Sequence, residues 1–366
     1  MYKAKIAING FGRIGRAFFK LALTRKELEV VAINDLGDLD NLAYLLQYDS
    51  AYGRYEGEIK VEEDGGKKYL SVSPSSHEAA YSAEVALATK AGSKGAQKVL
   101  FLSEKDPTML PWGALGVDIV VEATGVFDSF EKAEVHKEAG AKRVIITAPA
   151  KDEDVADSKT VLMGVNEEDL KTCTISSNGS CTTNSVSPVM QILAEKIGVK
   201  KAFLSTTHGY TATQSLIDGS TKGHDWRRGR AAAANISPSW TGAAIATTRA
   251  VKTLAGKFDG ASMRVPILTG SLSCIVMLTE RPTTVEEINN IFKESEKEER
   301  WKGILKTTTD QLVSSDIVGD PYAAIIDLNL TKVVDGDLCA VFSWYDNEFG
   351  YTNTLVQHVI RVAELM

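Results

Sequence analysis

Three glycines, Gly10-x-Gly12-x-x-Gly15, stand between a short apolar run, Lys5 to Asn9 (KIAIN), and a segment in which Ile14, Ala17, Phe18 and Leu21 recur at helical spacing. A tight turn, a backbone approached closely by a ligand and a helix packed hard against a strand each call for a residue without a side chain. A second apolar run, Glu29 to Asn34 (EVVAIN), completes a strand–helix–strand unit, which implies a parallel sheet. The helix start offers N–H groups and a partial positive charge, and both suit a pyrophosphate. Asp35 follows Gly15 by twenty residues, at the end of the second strand. A carboxylate there accepts hydrogen bonds from ribose hydroxyls and repels a 2′-phosphate, and Leu36, Gly37 and Asp38 bring no arginine to hold one. The pattern therefore predicts an α/β dinucleotide-binding domain that takes NAD rather than NADP. The competing reading is a glycine-rich turn without a ligand.

With 366 residues the chain has room for two domains. Lys98 to Leu102, Val117 to Glu122 and Arg143 to Thr147 continue the strand pattern, with Phe130 to Ala139 helical before the last. From about Glu62 to Gln97 the periodicity is weak, and paired glycines, Pro74 and serines point to hairpins or a surface excursion. After about residue 180 the texture changes. Thr182 to Ile197 reads as a helix interrupted near Pro188, and Lys201 to Thr207 as a strand. Met263 to Pro266, Ser271 to Thr279 and Val333 to Trp344 predict a mostly antiparallel second sheet. Thr284, with Glu287 three residues on, predicts a capped helix, and a last helix spans about Tyr351 to Leu365. The expected division is a Rossmann-type NAD-binding domain over 1–180, completed by a C-terminal helix over 347–366, and an α+β catalytic domain over 181–346.

Composition narrows the function classes. Apolar residues make up 44% and charged residues 24%, the mix of an ordinary globular chain. There is no apolar stretch of the roughly 18 residues that a membrane helix needs and no secretory leader pattern, so a cytoplasmic location without membrane attachment is expected. The net charge of −7 argues against nucleic acid as the main partner. Cys173, Cys181, Cys274 and Cys339 show neither a disulfide framework nor zinc-ligand spacing, and no metal is expected.

Among these cysteines, Cys181 sits in Ser177-Asn178-Gly179-Ser180-Cys181-Thr182-Thr183-Asn184, where small polar residues open a helix. A helix start lowers a thiol pKa and makes the thiolate, so the position reads as a candidate nucleophile. His208 ends the next strand, and a cysteine and a histidine at neighbouring element ends are the parts of a thiol–imidazole pair. An inert buried thiol and a structural histidine are the alternatives. Ser180, Thr182, Thr211, Thr241, Gly242, Arg228 and Arg264 are polar or cationic residues at element ends, suited to anions or simply to capping. The cluster Lys222, His224, Arg227, Arg228 and Arg230 lies in a long polar loop and reads as functional, as a subunit contact or as a solvated face.

Taken together, these segments resemble phosphorylating glyceraldehyde-3-phosphate dehydrogenase. The likeness is carried by AINGFGRIGR (7–16), AIND (32–35), YDS (48–50), SNGSCTTN (177–184), HGYTATQ (208–214), RGRAAAA (228–234), TGAA (241–244), RVP (264–266), LVSSDI (312–317) and SWYDNEFGY (343–351), in family order from one end to the other. The resemblance implies oxidation of D-glyceraldehyde 3-phosphate to 1,3-bisphosphoglycerate with NAD and inorganic phosphate, through a cysteine thioester, in glycolysis or gluconeogenesis. It implies Cys181 as nucleophile and His208 as base. Gly10, Gly12, Arg13, Ile14 and Gly15 would face the pyrophosphate, Asp35 the ribose, Lys105 the adenine, and Thr147 and Asn347 the nicotinamide. Ser180, Thr182, Thr241 and Gly242 would receive inorganic phosphate; Thr211, Thr213, Arg228 and Arg264 would hold the substrate's own phosphate. It also implies a homotetramer.

The chain departs from the family pattern in places. Ser185 replaces a second cysteine, Gly179 an alanine, and Trp240 a small residue before Thr241, where a bulky ring would reshape the phosphate pocket. Two competing functions carry discriminators. An erythrose-4-phosphate dehydrogenase is disfavoured by Asp35, Tyr210-Thr211 and Thr241-Gly242, and a non-enzymatic binding protein is disfavoured by the intact catalytic positions.

Overall fold

The computed structural model describes residues 3–73, 96–221 and 223–366. The central part of the excursion over 62–97, and Lys222 of the basic cluster, lie outside the described residues. The chain divides into two compact units, the first Met1–Val161, Glu167–Gly179 and Leu355–Met366, the second Leu162–Asn166 and Ser180–Thr354. The chain thus leaves the first unit briefly at Leu162–Asn166, and the last helix is split between the units at Leu355 rather than joining the first unit from residue 347.

In the first unit, β1 (Ala4–Asn9), α1 (Arg13–Leu23) and β2 (Leu28–Asn34) form the strand–helix–strand start. Then come α2 (Leu39–Gln47), a small hairpin of β3 (Tyr48–Asp49) and β4 (Gly53–Arg54), a larger one of β5 (Ile59–Asp64) and β6 (Lys67–Val72), and β7 (Gln97–Leu102). The short helix α3 (Trp112–Leu115), β8 (Ile119–Glu122), helices α4 (Phe130–Ala133) and α5 (Val135–Glu138), β9 (Arg143–Ile146), β10 (Ser158–Thr160) and β11 (Ile175–Ser177) complete it. Among the described residues these strands make a nine-stranded sheet in the order β10-β11-β9-β8-β1-β2-β7-β6-β5. It is parallel from β10 to β7, and only the hairpin β5–β6 runs antiparallel on the β7 edge. That hairpin is where the weak periodicity after Glu62 ends up: an edge strand pair with one wet face has no continuous apolar run to announce it. The single helix expected over Phe130 to Ala139 is two four-residue turns meeting at Glu134.

The central strands are apolar on both faces because helices cover them. β1 buries five of its six residues and β8 all four. α1 turns Phe18, Phe19, Leu21 and Ala22 into this core. β2 lies on one side of β1 and β8 on the other, and the carboxyl ends of strands at such a switch point are where these sheets take ligands.

The second unit opens with α6 (Cys181–Lys196) and β12 (Val199–Gly209). It continues with β13 (Ser237–Trp240), α7 (Ala243–Ala250), β14 (Phe258–Val265), β15 (Ser271–Thr279), α8 (Val285–Ser295), β16 (Leu305–Thr308), β17 (Ala324–Asp327), β18 (Lys332–Val334) and β19 (Leu338–Tyr345). Helix α9 (Phe349–Glu364) closes the chain. The sheet order is β13-β14-β12-β15-β19-β17-β16, with β18 paired to β19. Antiparallel pairs predominate, the parallel exceptions being β12 with β14 and β16 with β17. The expected strand over Val333 to Trp344 is a hairpin that turns at Asp335, a non-glycine residue with φ 47°, and Gly336. α6 runs straight through Pro188. Its buried face, Val186, Val189, Met190 and Leu193, joins Ile275, Met277, Ile326 and Val341 of the sheet in one core. Among the described residues no helix is long and apolar enough to cross a membrane.

Candidate active site and cofactor cradle

The cofactor candidates of the first unit collect at strand ends. Gly10 follows β1 with φ +98°, and a Cβ there would stand 2.6 Å from the Ala123 carbonyl carbon beyond β8. A Cβ on Gly15 would meet the Gly10 oxygen at 2.1 Å, so this glycine lets α1 lie on the turn. Gly12 differs from both: a Cβ there would meet nothing within 4 Å, which leaves open space above its backbone. Gly12 is also the N-cap of α1, which has no side-chain cap and no acidic residue in its first turn, where Arg13 and Ile14 lie. Arg13 reaches Asp49 at 3.2 Å.

Asp35, at the end of β2, accepts the Phe11 N–H on Oδ2 at 2.6 Å and the Gly37 N–H on Oδ1 at 2.8 Å. Each carboxylate oxygen keeps a lone pair for a further donor. Lys105 is exposed just after β7, beside Glu104, whose N–H donates to Asn34 Oδ1 at 2.8 Å. Thr147, just past β9, donates its N–H to the Glu122 carbonyl at 3.0 Å. An uncapped helix start, an open glycine and an acceptor carboxylate fit a dinucleotide.

Sequence reasoning passed over the polar cluster beneath this turn. Buried Glu122 takes the Asn9 side-chain amide at 2.6 Å, His136 Nε2 at 2.9 Å and the Thr124 N–H at 2.8 Å. The Trp112 indole N–H donates to His136 Nδ1 at 3.2 Å. Acids and imidazoles inside a core carry no local sequence signature.

The SNGSCTTN segment is divided between the units, Gly179 closing the first and Ser180 opening the second. In the first unit Asn178 Oδ1 accepts from His358 Nδ1 at 3.0 Å, and Ser176 Oγ lies 2.8 Å from His358 Nε2. Burial drives His358 down to about 3, so it stays neutral. In the second unit Ser180 caps α6, its Oγ accepting the Thr183 N–H at 3.1 Å, and Cys181 is the first helical residue.

Cys181 Sγ lies 3.2 Å from His208 Nε2, at the end of β12. On the far side of the ring, His208 Nδ1 stands 2.6 Å from the Gly209 carbonyl and 2.6 Å from Arg264 Nη1. The parallel register of β12 and β14 sets His208 directly beside Arg264. Tyr345 of β19 packs edge-on to the imidazole at 6.0 Å, and its hydroxyl bonds Thr182 Oγ1 at 2.9 Å and Thr206 Oγ1 at 2.8 Å. Neither Tyr345 nor Thr206 was singled out from sequence.

Cys181 keeps part of its surface accessible, but protein crowds its sulfur. Burial raises the thiol pKa against the pull of the Arg264 charge and the bonds at the helix start. Burial and then the Arg264 charge lower His208 to about 3. The helix start that favours a thiolate at Cys181 is opposed here by burial of the sulfur, the largest influence on this thiol.

The anion candidates fall into groups. Thr211 Oγ1 bonds Thr213 Oγ1 at 2.9 Å, Arg228 donates to Thr213 Oγ1 at 2.9 Å and to Ser239 Oγ at 3.0 Å, and the Arg228 charge is felt at Arg264. The structure therefore joins Thr211, Thr213 and Arg228 through hydrogen bonds, with Arg264 within range of the Arg228 charge. Thr241 Oγ1 accepts the Ala243 N–H at 3.2 Å at the start of α7, with Gly242 the N-cap. The Trp240 ring lies against Gly242: a Cβ on that glycine would stand 3.2 Å from Cη2. Thr182 is 4% exposed with its hydroxyl on Tyr345, so it supports the pocket wall and presents little surface to an anion. Buried Asn347 has Oδ1 held by Ser271 at 2.7 Å and Thr269 at 3.2 Å, which fixes the orientation of its amide.

A dinucleotide cradle on a parallel sheet, in a chain whose second unit carries a cysteine–histidine pair, defines an NAD-dependent oxidoreductase working through a thiol. Comparison with known proteins is more specific. Residues 4–73 match the NAD binding domain of glyceraldehyde 3-phosphate dehydrogenase and residues 180–347 match its C-terminal domain. Glyceraldehyde-3-phosphate dehydrogenase of Clostridium pasteurianum is 43% identical over 365 residues, covering 99% of each chain. That of Streptomyces coelicolor is 43% identical over 362 residues, 98% of each. That of Thermotoga maritima is 45% identical over 356 residues, 96% of this chain and 97% of its own. The chain belongs to the glyceraldehyde-3-phosphate dehydrogenase family.

Proposed function

We propose that the chain oxidises D-glyceraldehyde 3-phosphate to 1,3-bisphosphoglycerate, with NAD as oxidant and inorganic phosphate as acyl acceptor. The observation that carries this reading is the 3.2 Å approach of Cys181 Sγ to His208 Nε2, in a chain of this family. Cys181 adds to the aldehyde carbon, its proton passing by way of His208 to the carbonyl oxygen, which becomes the hemithioacetal hydroxyl and leaves His208 neutral again. His208 then holds the proton released as the hemithioacetal hydroxyl becomes the thioester carbonyl. Such a base contributes roughly 10²–10⁴-fold. NAD, when bound, supplies the hydride acceptor. Gly10, Gly12, Arg13, Ile14 and Gly15 hold its pyrophosphate, Asp35 its ribose and Lys105 its adenine end. Thr147 and Asn347 orient the nicotinamide. Thr211, Thr213, Arg228 and Arg264 hold the substrate phosphate. Ser180, Thr241 and Gly242 receive inorganic phosphate, with Thr182 as support. The working unit is a homotetramer in the cytoplasm.

The test is NADH formation followed by absorbance with glyceraldehyde 3-phosphate, with and without inorganic phosphate. Sustained turnover that needs phosphate is expected. Turnover indifferent to phosphate, or faster with erythrose 4-phosphate, would contradict the proposal.

A further inference from the structure

Asn347 lies between β19 and α9, and the two ends of its side-chain amide are treated differently. Oδ1 takes the Ser271 hydroxyl at 2.7 Å and the Thr269 hydroxyl at 3.2 Å, while among the described residues nothing accepts from Nδ2. The two ends of an amide have the same shape, so only its neighbours decide which way it points.

Those neighbours are themselves fixed. Asp346 accepts the Glu348 and Phe349 N–H groups on Oδ1, both at 2.9 Å, and the Gly319 N–H on Oδ2 at 2.8 Å. With both carboxylate oxygens accepting, Thr269, 2.7 Å from Oδ1, spends its proton there. Ser271 is fixed from its other side. Its Oγ takes the Gly209 N–H at 3.2 Å, which leaves its own proton for the 2.7 Å contact with Asn347. Ser271 is therefore the group that demands an oxygen. Thr269, its proton already directed at Asp346, has a lone pair that suits an amide N–H. Ser271, Thr269 and Asp346 are all buried, so each depends on the others for its hydrogen bonds.

Resting on the reading of Asn347 as a residue that orients the nicotinamide, we propose that Ser271 is a positioning residue for the cofactor. It sets the polarity of the Asn347 amide, so that Nδ2 is the end presented and acts as a donor. The group that Asn347 reads is then the carboxamide oxygen and not the carboxamide NH2. The same hydroxyl ties the amide to Gly209, whose carbonyl lies 2.6 Å from His208 Nδ1, so the amide is anchored to the backbone that carries the base. Without the Ser271 hydroxyl, Thr269 is the remaining anchor. Its Oγ1 accepts from Nδ2, the amide turns over, and Oδ1 becomes the end presented. An amide in that pose pairs with a carboxamide NH2. NAD offers one by turning its own carboxamide; a methyl ketone has none to offer.

The test compares NAD with 3-acetylpyridine adenine dinucleotide, which keeps the carbonyl and replaces NH2 by methyl, in the full-length enzyme with glyceraldehyde 3-phosphate and inorganic phosphate. The readout is the ratio of kcat/KM for the two cofactors, because a loosened or less stable protein loses both alike. Ser271→Ala should lower the analogue relative to NAD by about three- to tenfold against the wild-type ratio, the worth of one net hydrogen bond. Ser271→Cys, which fills the same space with a weaker donor, should move the ratio the same way and serves if Ser271→Ala does not fold. Ser271→Thr keeps the hydroxyl and should hold the wild-type ratio. A ratio that stays at the wild-type value in folded Ser271→Ala or Ser271→Cys overturns the proposal, whether or not activity falls, as does an equal displacement in Ser271→Thr. Asn347→Ala separates this from the reading beneath it. If that variant loses about tenfold or more in kcat/KM for NAD while Ser271→Ala leaves the ratio alone, Asn347 orients the nicotinamide and Ser271 does not set its polarity. If Asn347→Ala leaves both cofactors at wild-type values, the reading of Asn347 itself fails. A cooperative thermal melt verifies that each variant is folded.

Discussion

The cofactor cradle and the Cys181–His208 cluster are built on opposite principles. The cradle is local and made mainly of backbone: Gly10, Gly12, the start of α1 and Asp35 fall within one strand–helix–strand unit. The cysteine–histidine cluster is non-local and made of side chains. Cys181, His208, Arg264 and Tyr345 come from α6, β12, β14 and β19, and meet because the strands pair in one register. A backbone site needs few residue types and tolerates its surroundings. A side-chain site depends on every neighbour, because each buried polar group alters the protonation of the next.

That contrast can be broken most severely at the sulfur. Cys181→Ser should lower phosphate-dependent NADH formation by about 10⁴-fold or more, since a serine hydroxyl beside a neutral imidazole is a far weaker nucleophile. NAD affinity should stay unchanged, which titration of the cofactor by protein fluorescence checks. His208→Asn comes next, with a loss of about 10²–10⁴-fold in kcat. The same substitution should flatten the pH–rate profile, and a profile identical in shape to wild type would remove His208 from the proton transfer.

In the cradle the expected effect is smaller and of another kind. Asp35→Asn removes the charge that accepts the Phe11 and Gly37 N–H groups and that we propose takes the ribose hydroxyls. The cost of about 1.5–3 kcal/mol corresponds to roughly a ten- to hundredfold weaker KM for NAD, with kcat little changed and NADP relatively better accepted. Steady-state kinetics with both cofactors decides this.

Acid stability gives the mildest comparison. His358 in the first unit and His208 in the second are both lowered from 6.5 to about 3. The unfolded chain therefore binds protons that the folded chain refuses between those values, and stability falls as pH drops below about 6.5. The slope per histidine approaches about 1.4 kcal/mol for each pH unit in that window. Tm measured against pH should show this decline, and His358→Gln should flatten it while lowering Tm at neutral pH.

What the sequence made legible follows the same division. The Gly10–Gly15 turn, Asp35 and the first two strands could be read because their physics is contained in adjacent residues. Thr284 capping α8 is another local case, its side chain accepting the Glu287 N–H at 3.1 Å. The hairpin β5–β6 was blurred by its wet edge, and the turn at Asp335 and Gly336 was hidden inside an apolar run. Cys181 and His208 stood out as chemistry, but spacing held no record of Arg264 on Nδ1, of Tyr345 bridging Thr182 and Thr206, or of Glu122 on His136. Those contacts depend on strand register and burial, which a linear pattern does not encode. Burial of the Cys181 sulfur is of the same kind: the helix start that favours a thiolate is written in the sequence, the desolvation that opposes it is not.

The central claim is that Cys181 Sγ carries the acyl group. The most direct measurement is mass spectrometry of enzyme mixed with glyceraldehyde 3-phosphate and NAD in the absence of inorganic phosphate, quenched in acid and digested. The phosphoglyceryl adduct should appear on the peptide containing Cys181, disappear when phosphate is added, and be absent from Cys181→Ser. NADH formation without any adduct on that peptide, or with the adduct on Cys173, Cys274 or Cys339, would contradict the account.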